Sequence, residues 1–326
     1  MTTLPLAAEL PWLRPAQDAF NAALASDRLG HALLVQVSPG QGGQWLAVWI
    51  AARVFCRQVD PHRQMPCGSC LDCRRVMANE QPDLLRVHPI EDSKEIRVDQ
   101  VRELSAELAL TSHAGGRKVV IVSPAERLNR NAANALLKTL EEPSGSALLL
   151  LVTGEPSRLP ATVRSRCTRL LPGPTNDDLF VSWLQAQRPA SSAADWRAVL
   201  GVLGPQPLAA LEADTAALGG LRRDTERALE EVMRGTLDVV DTADRWGKED
   251  YALRVACVEL WLIDRLRDWG RGRRSAAPKI LFDALDHARE ARQWAESPVN
   301  KPLAIERVLW RLATVAQTAG SQRPVG

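Results

Sequence analysis

Four cysteines carry the first chemical signal. Cys56, Cys67, Cys70 and Cys73 are spaced C-x10-C-x2-C-x2-C, and they are four of the six cysteines in a chain of 326 residues. In a chain this long, such crowding points to a metal site and not to a disulfide framework. Four thiolates at these spacings can surround a tetrahedral zinc ion. Sulfur ligands also suit an iron–sulfur cluster, but no redox partner is in view, which favours zinc. Four ligands close the coordination shell, so the expected role is structural: a staple for a loop too short to build its own core. On spacing alone, free thiols and a site in which His62 replaces one cysteine stay open.

A second signal is the run Ser38-Pro39-Gly40-Gln41-Gly42-Gly43-Gln44. It follows an apolar stretch at 32–37 and precedes a helical pattern beginning at Trp45. Strand, glycine-rich loop and helix is the context in which backbone amides cradle a phosphate. A working loop of this kind ends in Gly-Lys-Ser/Thr. Its lysine reaches the β/γ-phosphates and its hydroxyl holds Mg²⁺. Here Gly43 stands where the lysine belongs and Gln44 where the hydroxyl belongs. The backbone cradle is kept, and the two side chains that make ATP binding strong are missing.

These residues need a frame. The apolar runs at 32–37, 118–122 and 147–152 read as buried strands, and a further strand is entered at Pro82-Asp83. A helix over 131–142 is stopped by Pro143, which cannot continue it. Another helix, over 96–110, puts Val98, Val101, Leu104 and Leu108 on one face. Pro15 sits where a first helix can start. Buried strands alternating with helices predict an α/β fold with a parallel sheet. Pro172-Gly173-Pro174 then marks a boundary. Short helices follow to about 213, with Thr175 or Asn176 as the first cap. Beyond them the period is 3.6 throughout, over 221–234, 236–246, 251–269, 279–294 and 302–319, as in a helical bundle. The basic run at 270–275 reads as a solvated connection or as a contact for DNA or a partner, and 320–326 as a frayed tail.

The totals restrict the partners. The hydrophobic fraction of 45% supports real cores, and the net charge of +2 argues for neither a polyanionic nor a membrane partner. The chain starts without a basic-then-apolar signal region. The longest apolar runs fall short of a membrane span. The expectation is a soluble cytoplasmic protein with no membrane contact. The ten tryptophans against one tyrosine find no explanation at this level.

The segment Asn134-Ala135-Leu136-Leu137-Lys138-Thr139-Leu140-Glu141-Glu142-Pro143, followed by Arg164-Ser165-Arg166-Cys167, resembles the clamp-loader branch of the AAA+ ATPases. The resemblance runs over essentially the whole chain. It implies an AAA+ core over 1–173 with the zinc module at about 56–73, a helical lid over 174–213 and a helical collar for oligomerisation over 214–326. It supports the all-cysteine metal set. In that family the arginine of Ser-Arg-Cys, here Arg166, acts as an arginine finger on ATP held by a neighbouring subunit, with Ser165 and Thr153 positioning the segment. An arginine suits the task because its planar fork stays charged.

Active members of the family carry Asp-Glu after the strand at 118–122, where this chain has Ser123-Pro124; Glu126 lies two residues out of place. They also carry a sensor arginine in the lid, where this chain has Pro207. With the loop at Gly40, Gly42, Gly43 and Gln44, that makes three losses in one direction. The resemblance therefore implies a subunit of the DNA polymerase III holoenzyme that neither binds nor hydrolyses ATP. Its implied partners are the gamma/tau and delta subunits of the loader and, through the complex, the sliding clamp and primed DNA during replication. The competing readings are an autonomous AAA+ ATPase with an unorthodox phosphate loop and a zinc-dependent DNA-binding module.

Overall fold

The computed structural model describes residues 10–59, 64–90, 93–113, 116–143, 146–272, 278–295, 297 and 299–320. His62, much of the basic run at 270–275 and nearly all of the tail at 320–326 lie outside the described residues. The chain divides into two units, Met1–Leu179 and Phe180–Gly326.

In the first unit, α1 (Arg14–Ala25) leads to β1 (Ala32–Gln36), α2 (Gly43–Phe55), α3 (Leu71–Ala78), β2 (Leu84–Val87), α4 (Val98–Ala109) and β3 (Val119–Val122). Then come α5 (Arg130–Glu141), β4 (Leu148–Thr153), α6 (Ala161–Arg164) and β5 (Thr168–Leu170). The five strands form one sheet in the order β2-β3-β4-β1-β5, and every pairing is parallel. All six residues of β4 are buried. A parallel sheet covered on both faces needs such an unbroken apolar run. On one face Leu34, Val120, Val122, Leu149 and Leu151 pack with Val101, Leu104 and Leu108 of α4 and Leu136 and Leu140 of α5. The alternate residues Leu33, Val35, Leu148 and Leu150 point the other way, are equally buried, and lie on the side where α2 meets β1 and β4. Asn129 starts α5 by accepting the Ala132 N–H at 2.8 Å.

The helix expected over 96–110 is shorter, Val98–Ala109, because the N–H groups of Ile96 and Asn129 exchange bonds with the carbonyls of Arg127 and Ile96 instead. Strand β5 has no apolar run of its own to mark it in the sequence. It is three residues long with two of them exposed, and only its pairing with β1 makes it a strand.

The second unit is helical: α7 (Asp177–Gln187, beginning just before the division), α8 (Ala193–Leu203), α9 (Pro207–Glu212), α10 (Thr215–Arg234), α11 (Val239–Lys248), α12 (Tyr251–Gly270), α13 (Pro278–Gln293) and α14 (Lys301–Gly320). Its helix starts are written in side chains. Asn176, Ser192, Asp214, Asp238 and Asn300 each accept a first-turn N–H. Asp238 explains why α11 begins at Val239 and not at 236. Leu229, Trp246, Leu262, Leu281, Leu309 and Leu312 are essentially buried in one core shared by α10 to α14. Six of the ten tryptophans are buried across the two units, so the tryptophan bias is largely core filling by large rings. At one point α11 approaches α14 with no side chain of its own. A Cβ on Gly247 of α11 would lie 2.5 Å from Cγ and Cδ of Pro302 on α14.

Leu34 has no exposure in the middle of β1. Leu34→Ala is expected to cost about 2–5 kcal/mol, read as a lowered midpoint in chemical denaturation.

Candidate metal centre and arginine site

The four cysteines come from three local structures. Cys56 ends α2, and Cys67 lies in the loop before α3. Cys70 is the N-cap of α3, its sulfur accepting the Cys73 N–H, and Cys73 is buried in the helix's first turn. Gly68, between the second and third ligands, takes φ +71°, a left-handed turn that a side chain resists. All four Sγ atoms lie within 4.8 Å of one another, and those of Cys67 and Cys73 are 4.0 Å apart. Sulfurs around zinc at about 2.3 Å stand about 3.8 Å apart, so the donor set fits a closed tetrahedral ion.

Backbone N–H groups already face the sulfurs: Cys67 N–H on Cys56 Sγ at 3.3 Å, Cys70 N–H on Cys67 Sγ at 3.3 Å and Cys73 N–H on Cys70 Sγ at 3.5 Å. The N–H groups of Cys70 and Ser69 draw the Cys67 thiol down to about 6. Burial pushes the Cys56 and Cys73 thiols up, a cost that a bound cation reverses by holding them as thiolates. Around the cluster, Asp72 of α3 pairs with Arg57 at 2.8 Å and accepts Gln81 Nε2–H at 3.1 Å. These contacts tie the first turn of α3 to the segments that follow α2 and α3.

The glycine-rich loop joins β1 to α2. Gly42 is the residue before the helix, at φ +89°. A Cβ there would meet Leu10 Cδ1 at 2.6 Å, and one on Gly43 would meet Val37 Cβ and Val152 Cγ1 at 3.1 Å. Gly40 is left-handed as well, at φ +70°. Gln41 is buried, and its carbonyl accepts Trp12 Nε1–H at 2.8 Å. The loop is thus packed from outside by residues 10–13, a contact the sequence did not announce. Thr153 closes the end of β4 beside Gln36, its hydroxyl accepting the Glu155 N–H at 3.1 Å. Ser123 is buried after β3. Glu126 accepts the Gly154 N–H at 3.3 Å. Pro207, in the second unit, is buried at the first turn of α9.

Arg166 lies at the other edge of the sheet. It follows α6 and precedes β5, whose Thr168 is level with Leu33 of β1, whereas Thr153 is level with Gln36. Three residues of strand separate those levels by about 10 Å, and the loop and the arginine lie beyond opposite ends. The Arg166 guanidinium donates from Nη1 to Thr162 O at 3.0 Å and from Nη2 to Glu141 Oε1 at 2.5 Å. Ser165 is the adjoining residue, with Oγ on Thr162 O at 3.1 Å. Ser165 and Arg166 thus share one carbonyl. Thr153 is not brought to them: topology puts it at the carboxyl ends of the strands and the arginine at the amino ends.

A family model described as DNA polymerase III, delta subunit, matches residues 13–172. The DNA polymerase III subunit delta' of Pseudomonas aeruginosa is 35% identical over 74% of this chain and 71% of its own length. That of Yersinia pestis is 30% identical over 90% of this chain and 86% of its own. The chain belongs to the DNA polymerase III delta' subunits. The tau/gamma subunit of Haemophilus influenzae is also similar, at 34% identity, over 46% of this chain and 21% of that one. Within this delta' chain the residue that sequence reasoning passed over is Glu141. It stands inside the motif at 134–143, where its residue type alone points to no task. The available signal was an acidic side chain in the last turn of a helix, where the macrodipole disfavours it unless a cation is near.

Elemental analysis of the purified chain is expected to find about one zinc per molecule. Cys70→Ser combined with Cys73→Ser is expected to lose it and to loosen α3 to proteolysis. Full folding with no metal retained would remove the zinc reading.

Proposed function

We propose that this delta' chain is the subunit of the DNA polymerase III clamp loader that hydrolyses no ATP itself and lends Arg166 to the ATP site of a gamma/tau neighbour. On this reading residues 1–173 are an AAA+ core, 174–213 a lid and 214–326 a collar through which the ring assembles. A zinc ion on Cys56, Cys67, Cys70 and Cys73 serves structure only. Its partners are the gamma/tau and delta subunits, and the complex acts on the sliding clamp and primed DNA. Among the described residues no helix is long and apolar enough to cross a membrane.

One observation carries the reading. Arg166 and the glycine-rich loop lie at opposite edges of one parallel sheet, so this arginine cannot serve a phosphate on its own loop and is free for one on another chain. The loop itself supports the same division of labour. Gly43 is wedged against Val37 and Val152, no lysine or hydroxyl stands at 43 or 44, and Glu126, the nearest acid after β3, is held on the Gly154 N–H. Arg166 supplies charge as the γ-phosphate is transferred in trans, an effect worth about 10³–10⁵-fold in the best-studied phosphoryl-transfer systems. Its pair with Glu141 is no obstacle. Both side chains are partly exposed, at 36% and 52%, and exposed pairs contribute only about 0–1 kcal/mol.

In a loader reconstituted from purified subunits, Arg166→Ala should leave assembly intact and lower ATP turnover at least about tenfold. Unchanged turnover would remove Arg166 from the mechanism. The delta' chain alone is expected neither to bind nor to hydrolyse Mg-ATP, measured by calorimetry and phosphate release. An autonomous ATPase would do both.

A further inference from the structure

We propose that Glu141 is a positioning residue for Arg166. The inference rests on the reading of Arg166 as a finger acting in trans. Glu141 is the last residue of α5, and Arg166 follows α6, which packs against α5. One guanidinium is thereby held from two helices, by Thr162 O at 3.0 Å and by Glu141 Oε1 at 2.5 Å. The two anchors take one N–H from each terminal nitrogen. Three of the five N–H groups of an arginine stay unclaimed by them and are available to phosphate oxygens.

A free arginine side chain must give up rotamer freedom when it meets a phosphate, and a planar fork already oriented gives up less. Two features mark Glu141 as the orienting partner. It is exposed, so it does not serve the core. It also puts negative charge at a helix C-terminus, where only a neighbouring cation makes it favourable. Arg166 is that cation: among the described residues it is the basic side chain in ion-pair contact with Glu141. The same carboxylate offsets the guanidinium charge while the neighbouring site holds no triphosphate.

The test is steady-state ATP hydrolysis by the loader reconstituted with gamma/tau and delta subunits, carrying delta' variants Glu141→Ala, Glu141→Gln, Arg166→Ala and the Glu141→Ala/Arg166→Ala double variant. Glu141→Ala is expected to lower kcat about fivefold, the scale of an exposed pair, with KM for ATP little changed. Glu141→Gln keeps an acceptor oxygen and should recover part of the loss. The double variant should be no slower than Arg166→Ala alone, because Glu141 acts through the arginine.

Wild-type kcat in both Glu141 variants, with Arg166→Ala still slow, would overturn the inference and leave the finger standing. A faster Glu141→Ala loader would overturn it too, since the pair would then be a brake. So would an equal loss on the Arg166→Ala background, since Glu141 would then act on the fold. Wild-type kcat in Arg166→Ala would remove both the finger and the inference built on it.

Discussion

The constraint on which the first unit depends is parallel strand pairing. A parallel sheet cannot be joined by tight turns; each strand must be followed by a crossover that returns the chain to the starting edge. All strands therefore end on one edge and begin on the other. The segments after β1, β3 and β4 converge at the carboxyl edge, the usual place for a ligand crevice in such sheets. They bring together the loop at 38–44, Ser123 and Thr153. The segments before the strands converge at the amino edge, where the end of α5 and the arginine after α6 meet. The register of β1 with β4 and with β5 sets the separation of the two edges. No choice of side chains could merge them.

Helix α2 links the glycine loop to the cysteine cluster. It starts at Gly43 and ends at Phe55, one residue before Cys56. At about 1.5 Å per residue its two ends are about 20 Å apart. The cluster gathers residues that carry little hydrophobic surface of their own. Leu71 and Met77 of α3 are exposed, and the anchoring falls to Cys73, Val76 and the Asp72 contacts. An ion there would do for this segment what apolar area does for the sheet.

Much of this was legible because the signals were of the strong kinds. Unbroken apolar runs announced β1, β3 and β4, cysteine spacing announced the cluster, and Asn176 announced the start of α7. What escaped notice depends on partners distant in sequence. Thr168-Arg169-Leu170 becomes a strand only by lying beside β1. Trp12 matters because its indole reaches the carbonyl of Gln41, 29 positions away. Glu141 gains a task only from an arginine 25 positions on. Thr153 carries the same lesson from the other side. The resemblance sets it beside Ser165 and Arg166, and the strand order sets it apart from the arginine.

The meeting of Gly247 and Pro302 has a consequence for how the helical unit can change over time. The spacing of α11 and α14 there is set by the Gly247 backbone against the ring and backbone nitrogen of Pro302, with no side chain on the α11 side to trim or regrow. A mutation elsewhere in that core can be absorbed by repacking its neighbours. At this point there is nothing to repack, because an added Cβ at 247 would meet the backbone nitrogen of Pro302 at 2.6 Å as well as its ring, so exchanging the proline alone would not make room. Position 247 is therefore held to glycine by the path of the α14 backbone, whatever residue stands at 302.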